Sequence, residues 1–229
     1  ERDVDAVMSR TKERRPLPLH SLSPVHALIF SVSIGAIGVI LFAVVFNWLT
    51  AALSLITILF YSLFYTLYLK PNTPLNIVIG GAAGAMAPVG AWAAATNSMA
   101  VAPWILFLIV FFWTPPHFWA LALFCKEDYV KAKLPMMPVI KGDDHTLQQM
   151  FNYALVLVAV SLSLIFFHAG LLYAAVAVVL GWFFIKKTYE AKKHKTEKLI
   201  RGLFGYSIIY LFALFLAMIV DSFFFVRIL

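Results

Sequence analysis

Residues 24–46, PVHALIFSVSIGAIGVILFAVVF, and residues 48–69, WLTAALSLITILFYSLFYTLYL, follow one another with only Asn47 between them and contain no Asp, Glu, Lys or Arg. Each run has about the 20 residues that cross roughly 30 Å of hydrocarbon. Their apolarity is continuous rather than alternating with period two, which excludes a β-barrel strand pattern. The same criterion, applied outward along the chain, marks further runs at 77–95, 102–125, 147–167, 169–185 and 203–226. The expected fold class is therefore all-α: a polytopic transmembrane helix bundle with seven spans in one domain, residues 1–229. A composition that is 62% hydrophobic and 13% charged fits that class.

Threading the chain through these runs puts all but one of its 18 Lys and Arg residues on the same side, Arg227 being the exception. The 11 acidic residues sort the same way, with only Asp221 opposite. By the positive-inside rule that side is cytoplasmic, or the matrix side in an organelle. The net charge of +7 then belongs to topogenic loops facing anionic headgroups, so the lipid bilayer is the expected partner and no nucleic acid is needed. Cys125 stands alone, which rules out an intramolecular disulfide. The chain opens on Glu1 instead of methionine, and a segment upstream of it is expected.

Outside connections are short: Asn47, Thr96 to Val101, and His168. The inside connections, 1–23, 70–76, 126–146 and 186–202, are longer and hold the polar residues. Residues 126–146 mix Tyr129, Leu134, Met136, Met137 and Val139 with charges, which suggests a loop or a short amphipathic helix at the interface. Gly80, Gly81, Gly84 and Gly90 in the third run imply close helix packing or, alternatively, room for a bulky ligand. Pro88, Pro115 and Pro116 are expected to kink or break their helices. Asp221 is expected to hydrogen-bond between helices near the outer face, and Lys186 to Arg201 to be a topogenic basic run.

Two acidic segments, Glu1-Arg2-Asp3-Val4-Asp5 and Glu127-Asp128-Tyr129, emerge on the same charged face. If the first is helical, Glu1 and Asp5 lie one turn apart. Carboxylates among Arg10, Lys12, Lys70, Lys126 and Lys133 suit a Mg²⁺-diphosphate site, because Mg²⁺ is commonly held by one or two carboxylates plus substrate phosphates. Charge alone fits ordinary solvated loop residues equally well. A ring of aromatics in adjacent spans, Tyr61, Phe64, Tyr65, Phe111, Phe112, Trp113, Phe118 and Trp119, could line a dry chamber or simply pack. No Ser/His/Asp or Cys/His constellation is present.

Four segments carry a resemblance: ERDVDAVMSRTKERRPLP (1–18), YTLYLKPNTPLNIVIGGAAGAMAPVGAW (65–92), WTPPHFWALA (113–122) and KEDYVKAKLPMMPV (126–139). In this order they resemble the heme-farnesylating branch of the UbiA-type intramembrane prenyltransferases. That resemblance implies nine helices, two of them upstream of Glu1, and a first motif whose initial asparagine lies four residues before Glu1. It implies transfer of farnesyl from farnesyl diphosphate to a vinyl group of heme b, giving heme O, with Mg²⁺ as cofactor. The metal ligands it implies are Glu1, Asp3, Asp5 and Asp128. Asp3, Asp5, Asp128 and Lys70 would be catalytic, and Arg10, Lys12, Tyr65, His117, Tyr129 and Lys133 would bind substrate. His117 would ligate iron or bond a propionate, or else be a packing residue; His145 is a weaker candidate. Heme A synthase or terminal oxidase assembly are implied as partners, and the bacterial inner membrane is favoured over the mitochondrial one. A prenyltransferase acting on an aromatic quinone precursor is the nearest alternative. A transporter would need ionisable groups near mid-span, which are almost absent.

Overall fold

Asn47 reverses the chain with a single residue. Its extended backbone (φ −164°, ψ 165°) cannot continue a helix, and its Oδ1 accepts the Thr50 N–H at 2.9 Å and the Thr50 hydroxyl at 3.0 Å. A side-chain oxygen in this place satisfies a helix N–H that has no partner inside the helix. Its Nδ2 donates to the Ala93 carbonyl at 2.8 Å, which ties the turn to the third span. Asn47 thus joins α2 (Pro24–Leu41, continued by a π-helical turn, Phe42–Phe46) to α3 (Trp48–Leu59, continued as π-helix, Phe60–Leu69).

The computed structural model describes residues 1–167 and 169–224, so His168 and Arg227 lie outside the described residues. A short α1 (Arg2–Val7) precedes α2. After α3 come a single turn, α4 (Lys70–Asn72), then α5 (Asn76–Ala85) and α6 (Ala87–Thr96), which together make one span. The span breaks at Met86 because Pro88 has no N–H to give and its ring would meet the carbonyl four residues back. Then follow α7 (Val101–Phe124), α8 (Lys126–Lys131), α9 (Met137–Ile140), α10 (Gly142–Ser163, with a 3₁₀ turn Leu164–Phe167), α11 (Leu171–His194) and α12 (Glu197–Phe224). Seven of these helical units are long and apolar enough to cross a membrane, one for each run in the sequence.

α7 is the hub, packed against α5, α6, α10 and α12, while α11 packs against both α10 and α12. Trp119, Tyr173, Phe184 and Tyr210 fill the interior. In lipid, association depends on close packing, so small residues mark the contacts. A Cβ on Gly81 would come within 2.9 Å of Thr114, one on Gly181 within 2.7 Å of Val158, and one on Gly80 would strike the Tyr65 ring. Gly84 and Gly90 face open space instead. A buried carboxylate, Asp221 on α12, accepts the N–H groups of Gly170 (2.5 Å) and Tyr173 (3.2 Å). It caps the N-terminus of α11 from a neighbouring helix, with the sign the helix dipole favours.

Three local expectations change. The basic residues from Lys186 to His194 are helical, and the turn is confined to Lys195 (φ 53°) and Thr196. α7 runs without a break through Pro115 and Pro116, where the Thr114 hydroxyl bonds the Val110 carbonyl (2.8 Å) beside them. Residues 126–146 form α8, α9 and the start of α10, and Leu134, Met136 and Met137 are buried in the core rather than spread on the interface.

Candidate active site

Three connections on the charged face are wired into one cluster. α1 carries Glu1 and Asp5 one turn apart, as their spacing requires, and the Asp5 N–H bonds the Glu1 carbonyl at 2.9 Å. Met8 is buried in the core and anchors the next turn, in which the Thr11 and Lys12 N–H groups bond the Met8 carbonyl. That turn brings Arg15 back onto α1. Its Nη1 lies 2.5 Å from Asp5 Oδ2 and 3.6 Å from Glu1 Oε2, so two carboxylates converge on one cation. Lys70, delivered by the end of the second span, pairs with the other Glu1 oxygen. Burial raises the Glu1 carboxyl, and the Lys70 hydrogen bond and charge are the largest of the opposing causes that together hold Glu1 below the usual carboxylate range.

The second acidic segment docks onto this turn. Asp128 Oδ1 accepts the Ser9 N–H at 2.9 Å and Oδ2 accepts the Arg10 N–H at 3.3 Å. Lys131 Nζ reaches Ser9 Oγ at 3.4 Å, and the Arg10 guanidinium lies 5.9 Å from the centre of the Tyr129 ring. Burial raises the Tyr129 phenol, although Arg10 opposes the shift. An open cavity of about 950 Å³ adjoins this contact, lined by Ser9, Glu127, Asp128, Lys131, Asp143 and Lys195.

The implied four-carboxylate set is therefore only partly gathered. Glu1 and Asp5 converge. Asp3 turns to Arg2 at 3.0 Å and is mostly solvent-exposed, while both Asp128 oxygens are engaged by backbone amides. Among the described residues no three His, Cys, Asp or Glu side chains form a metal-holding group. A pair of carboxylates around a cation still suits Mg²⁺, which takes one or two carboxylates and completes its shell with phosphate and water. Of the implied substrate residues, Arg10 and Tyr129 join the cluster. Lys12 pairs with exposed Glu13 (3.3 Å), and Lys133 is exposed at the left-handed residue that ends α8 (φ 54°). Tyr65 lies against Gly80 and stacks on Tyr61 at 4.9 Å.

His117 sits apart, in the α7–α12 contact, between the stacked rings of Trp113 (4.3 Å) and Phe204 (4.5 Å). Its Nδ1 meets Ser207 Oγ at 2.7 Å. Ser207 has one hydroxyl hydrogen, and it goes to the Phe204 carbonyl at 2.6 Å. The serine oxygen must therefore accept from His117, which puts the imidazole proton on Nδ1 and the lone pair on Nε2. His145 is exposed near the start of α10. Arg15 was not among the expected cluster residues. The available signal was Pro16 and Pro18, which stop a helix from carrying Arg15 away from Asp5.

The UbiA prenyltransferase family profile matches residues 1–219. The chain belongs to the UbiA prenyltransferase family. Like the other members of that family it is an enzyme, a prenyltransferase embedded in the membrane as a helical bundle. It is 45% identical over 225 residues to the protoheme IX farnesyltransferase of Synechocystis sp., covering 97% of this chain and 71% of that protein. It is 47% identical to the protein of the same name from Picosynechococcus sp. (97% and 71% covered) and 47% identical over 221 residues to that of Nitrosococcus oceani (96% and 74% covered). No solved structure matches the chain.

Proposed function

We propose that this UbiA prenyltransferase moves a farnesyl group from farnesyl diphosphate onto a vinyl group of heme b, giving heme O. What supports the heme acceptor is the name shared by relatives 45–47% identical over nearly the whole chain. The convergence of Glu1, Asp5, Arg15 and Lys70 at one end of an apolar bundle supports the chemistry.

Mg²⁺, when bound, offsets the charge that gathers on the departing diphosphate. Glu1 and Asp5 are the side chains that would hold it. Lys70, Arg10 and Arg15 bind diphosphate oxygens, and Lys12 and Lys133 reach the same face. The C1–O bond of the farnesyl group breaks with the electron pair leaving on oxygen, and the allylic cation is attacked by the terminal carbon of the vinyl group. Water then captures the resulting heme-side cation and gives up a proton. Tyr65 and Tyr129 offer ring faces to a cation, worth roughly 0.5 to 2 kcal/mol each. No side chain has to act as nucleophile. His117, with its lone pair on Nε2, is the residue assigned to heme recognition, because a neutral imidazole nitrogen is an iron ligand.

The test is mass spectrometry of heme recovered from membranes containing the chain, incubated with heme b, farnesyl diphosphate and Mg²⁺. Heme O is expected and should disappear on chelation. Formation of a prenylated phenolic acid with no heme product would assign the chain to a different acceptor.

A further inference from the structure

We propose that the basic end of α11 is a binding site for the headgroup of an anionic phospholipid. The lysines that end this helix stand apart from the cluster around Glu1: α11 packs on α10 and α12, whereas the cluster is built from α1, the turn after it, α4 and α8.

Helical spacing sorts the run onto different faces. Tyr173, Ala177, Gly181, Phe184, Thr188 and Ala191 are buried and mark the side of α11 that faces the bundle. Trp182, Lys186, Tyr189 and Lys193 recur every three or four residues, so they share one stripe, turned away from that side. All four are exposed, Trp182 at 67% and Tyr189 at 50%. The other cations of the run are engaged elsewhere. Lys187 lies over the Tyr206 ring (5.5 Å), Lys192 over the Phe151 ring (5.2 Å), and Lys195 pairs with Asp144 (2.6 Å). On the stripe, Lys186 has only Glu190, at 3.9 Å, and Lys193 has no carboxylate partner among the described residues.

A membrane offers such a stripe one chemically matched occupant. Trp and Tyr favour the level where headgroups meet acyl chains, because each ring has an apolar body and a polar N–H or O–H. Lys186 and Lys193 stand on either side of Tyr189, about 10 Å apart along the helix axis. Their flexible four-carbon stems let both ammonium groups reach one phosphate. Deeper along the helix the same side continues as exposed Val178, Val179 and Leu171, an apolar track for the acyl chain of the same lipid. A soluble anion would use the lysines and leave the rings and the track without a role, and a zwitterionic lipid would bring a cation against the lysines. An anionic phospholipid uses every part of the stripe.

The test does not depend on the proposed prenyl transfer. The full chain is placed in phosphatidylcholine vesicles with a minor share of phosphatidylglycerol, and one lipid or the other carries brominated acyl chains, which quench tryptophan on contact. Comparing the chain with Trp182→Phe isolates the Trp182 signal. At equal share, brominated phosphatidylglycerol should quench Trp182 more strongly than brominated phosphatidylcholine, and the preference should shrink as salt is raised. Lys186→Gln and Lys193→Gln should each lower the preference by about fivefold, the scale of one lysine at an anionic surface. Arg14→Gln combined with Lys141→Gln, exposed cations of other connections, should leave it unchanged.

Equal quenching by the two lipids in the unaltered chain, a result independent of how any variant folds, overturns the proposal. So does a loss in the Arg14→Gln/Lys141→Gln control as large as that in the stripe variants, because the lipid would then be answering the overall surface charge. Inorganic diphosphate added at constant ionic strength should leave the quenching as it is. If it relieves the quenching, the stripe collects a soluble anion and the lipid assignment is wrong.

Discussion

Glu1 and Asp5 converge on one cation, Arg15, whereas Asp3 turns to Arg2, so Glu1 and Asp5 rather than Asp3 should govern metal dependence. Glu1→Gln or Asp5→Asn is expected to raise the Mg²⁺ needed for half-maximal rate by about 10- to 100-fold, the scale seen when a group supporting a metal is lost. Asp3→Asn should change it little, and Mg²⁺ titration of membrane preparations distinguishes them. His117→Phe preserves the stack on Trp113 and Phe204 and removes Nε2, so it should raise KM for heme without changing the Mg²⁺ requirement. A pH effect also follows. Burial alone would raise the Asp128 carboxyl, but the Ser9 and Arg10 amides, the Ser9 side chain and Lys131 hold it below its ordinary value. A lowered folded-state pKa gives stability that is present above the unfolded value and is lost as pH falls through the folded one. Exchange at residues 8–12 should therefore stay slow through the ordinary carboxylate range near pH 4 and accelerate only below it. At this scale the sequence was informative where spacing decides geometry: Glu1 and Asp5 share a face because they are four apart. It was silent on the contacts of Asp128, because the Ser9 and Arg10 amides that it accepts from have no side-chain signature.

Helices were legible as apolar runs, while their ends depended on contacts no run encodes. The run at 169–185 stops at the first lysine, yet α11 continues to His194, because Lys and Glu are good helix formers and their charges can leave the membrane along the helix. Likewise, the start of α11 is fixed by Asp221, a residue fifty positions away on α12. Asp221→Ala would leave the Gly170 and Tyr173 amides buried without a partner. The expected cost is about 1 to 3 kcal/mol, seen as a lower melting temperature in detergent, with Asp221→Asn intermediate. The glycine-rich span divides the same way. Gly80→Val must displace the Tyr65 ring and should lower both stability and farnesyl diphosphate affinity, whereas Gly84→Ala enters open space and should change neither.

The whole molecule is polarised, with the site at its charged end. Each connection that contributes to the cluster, 1–23, 70–75 and 125–141, also carries basic residues, so the charges that orient the chain are partly the charges that would grip a diphosphate. On the proposed function, topology and chemistry are thereby linked: turning the bundle over would carry Lys70, Arg10 and Arg15 to the other side of the bilayer. The sidedness expected from the sequence rests on the count of Lys and Arg per connection, whereas the wiring among those connections depends on distances. In a Cys125→Ser background, a cysteine placed at Ser98, in the exposed turn between α6 and α7, should react with a membrane-impermeant maleimide added to intact cells. One placed at Lys198, at the opposite ends of the helices, should react only after the membrane is opened. Equal labelling of the two, or the reverse order, would mean that the positive-inside assignment fails and that the diphosphate is captured from the outer face.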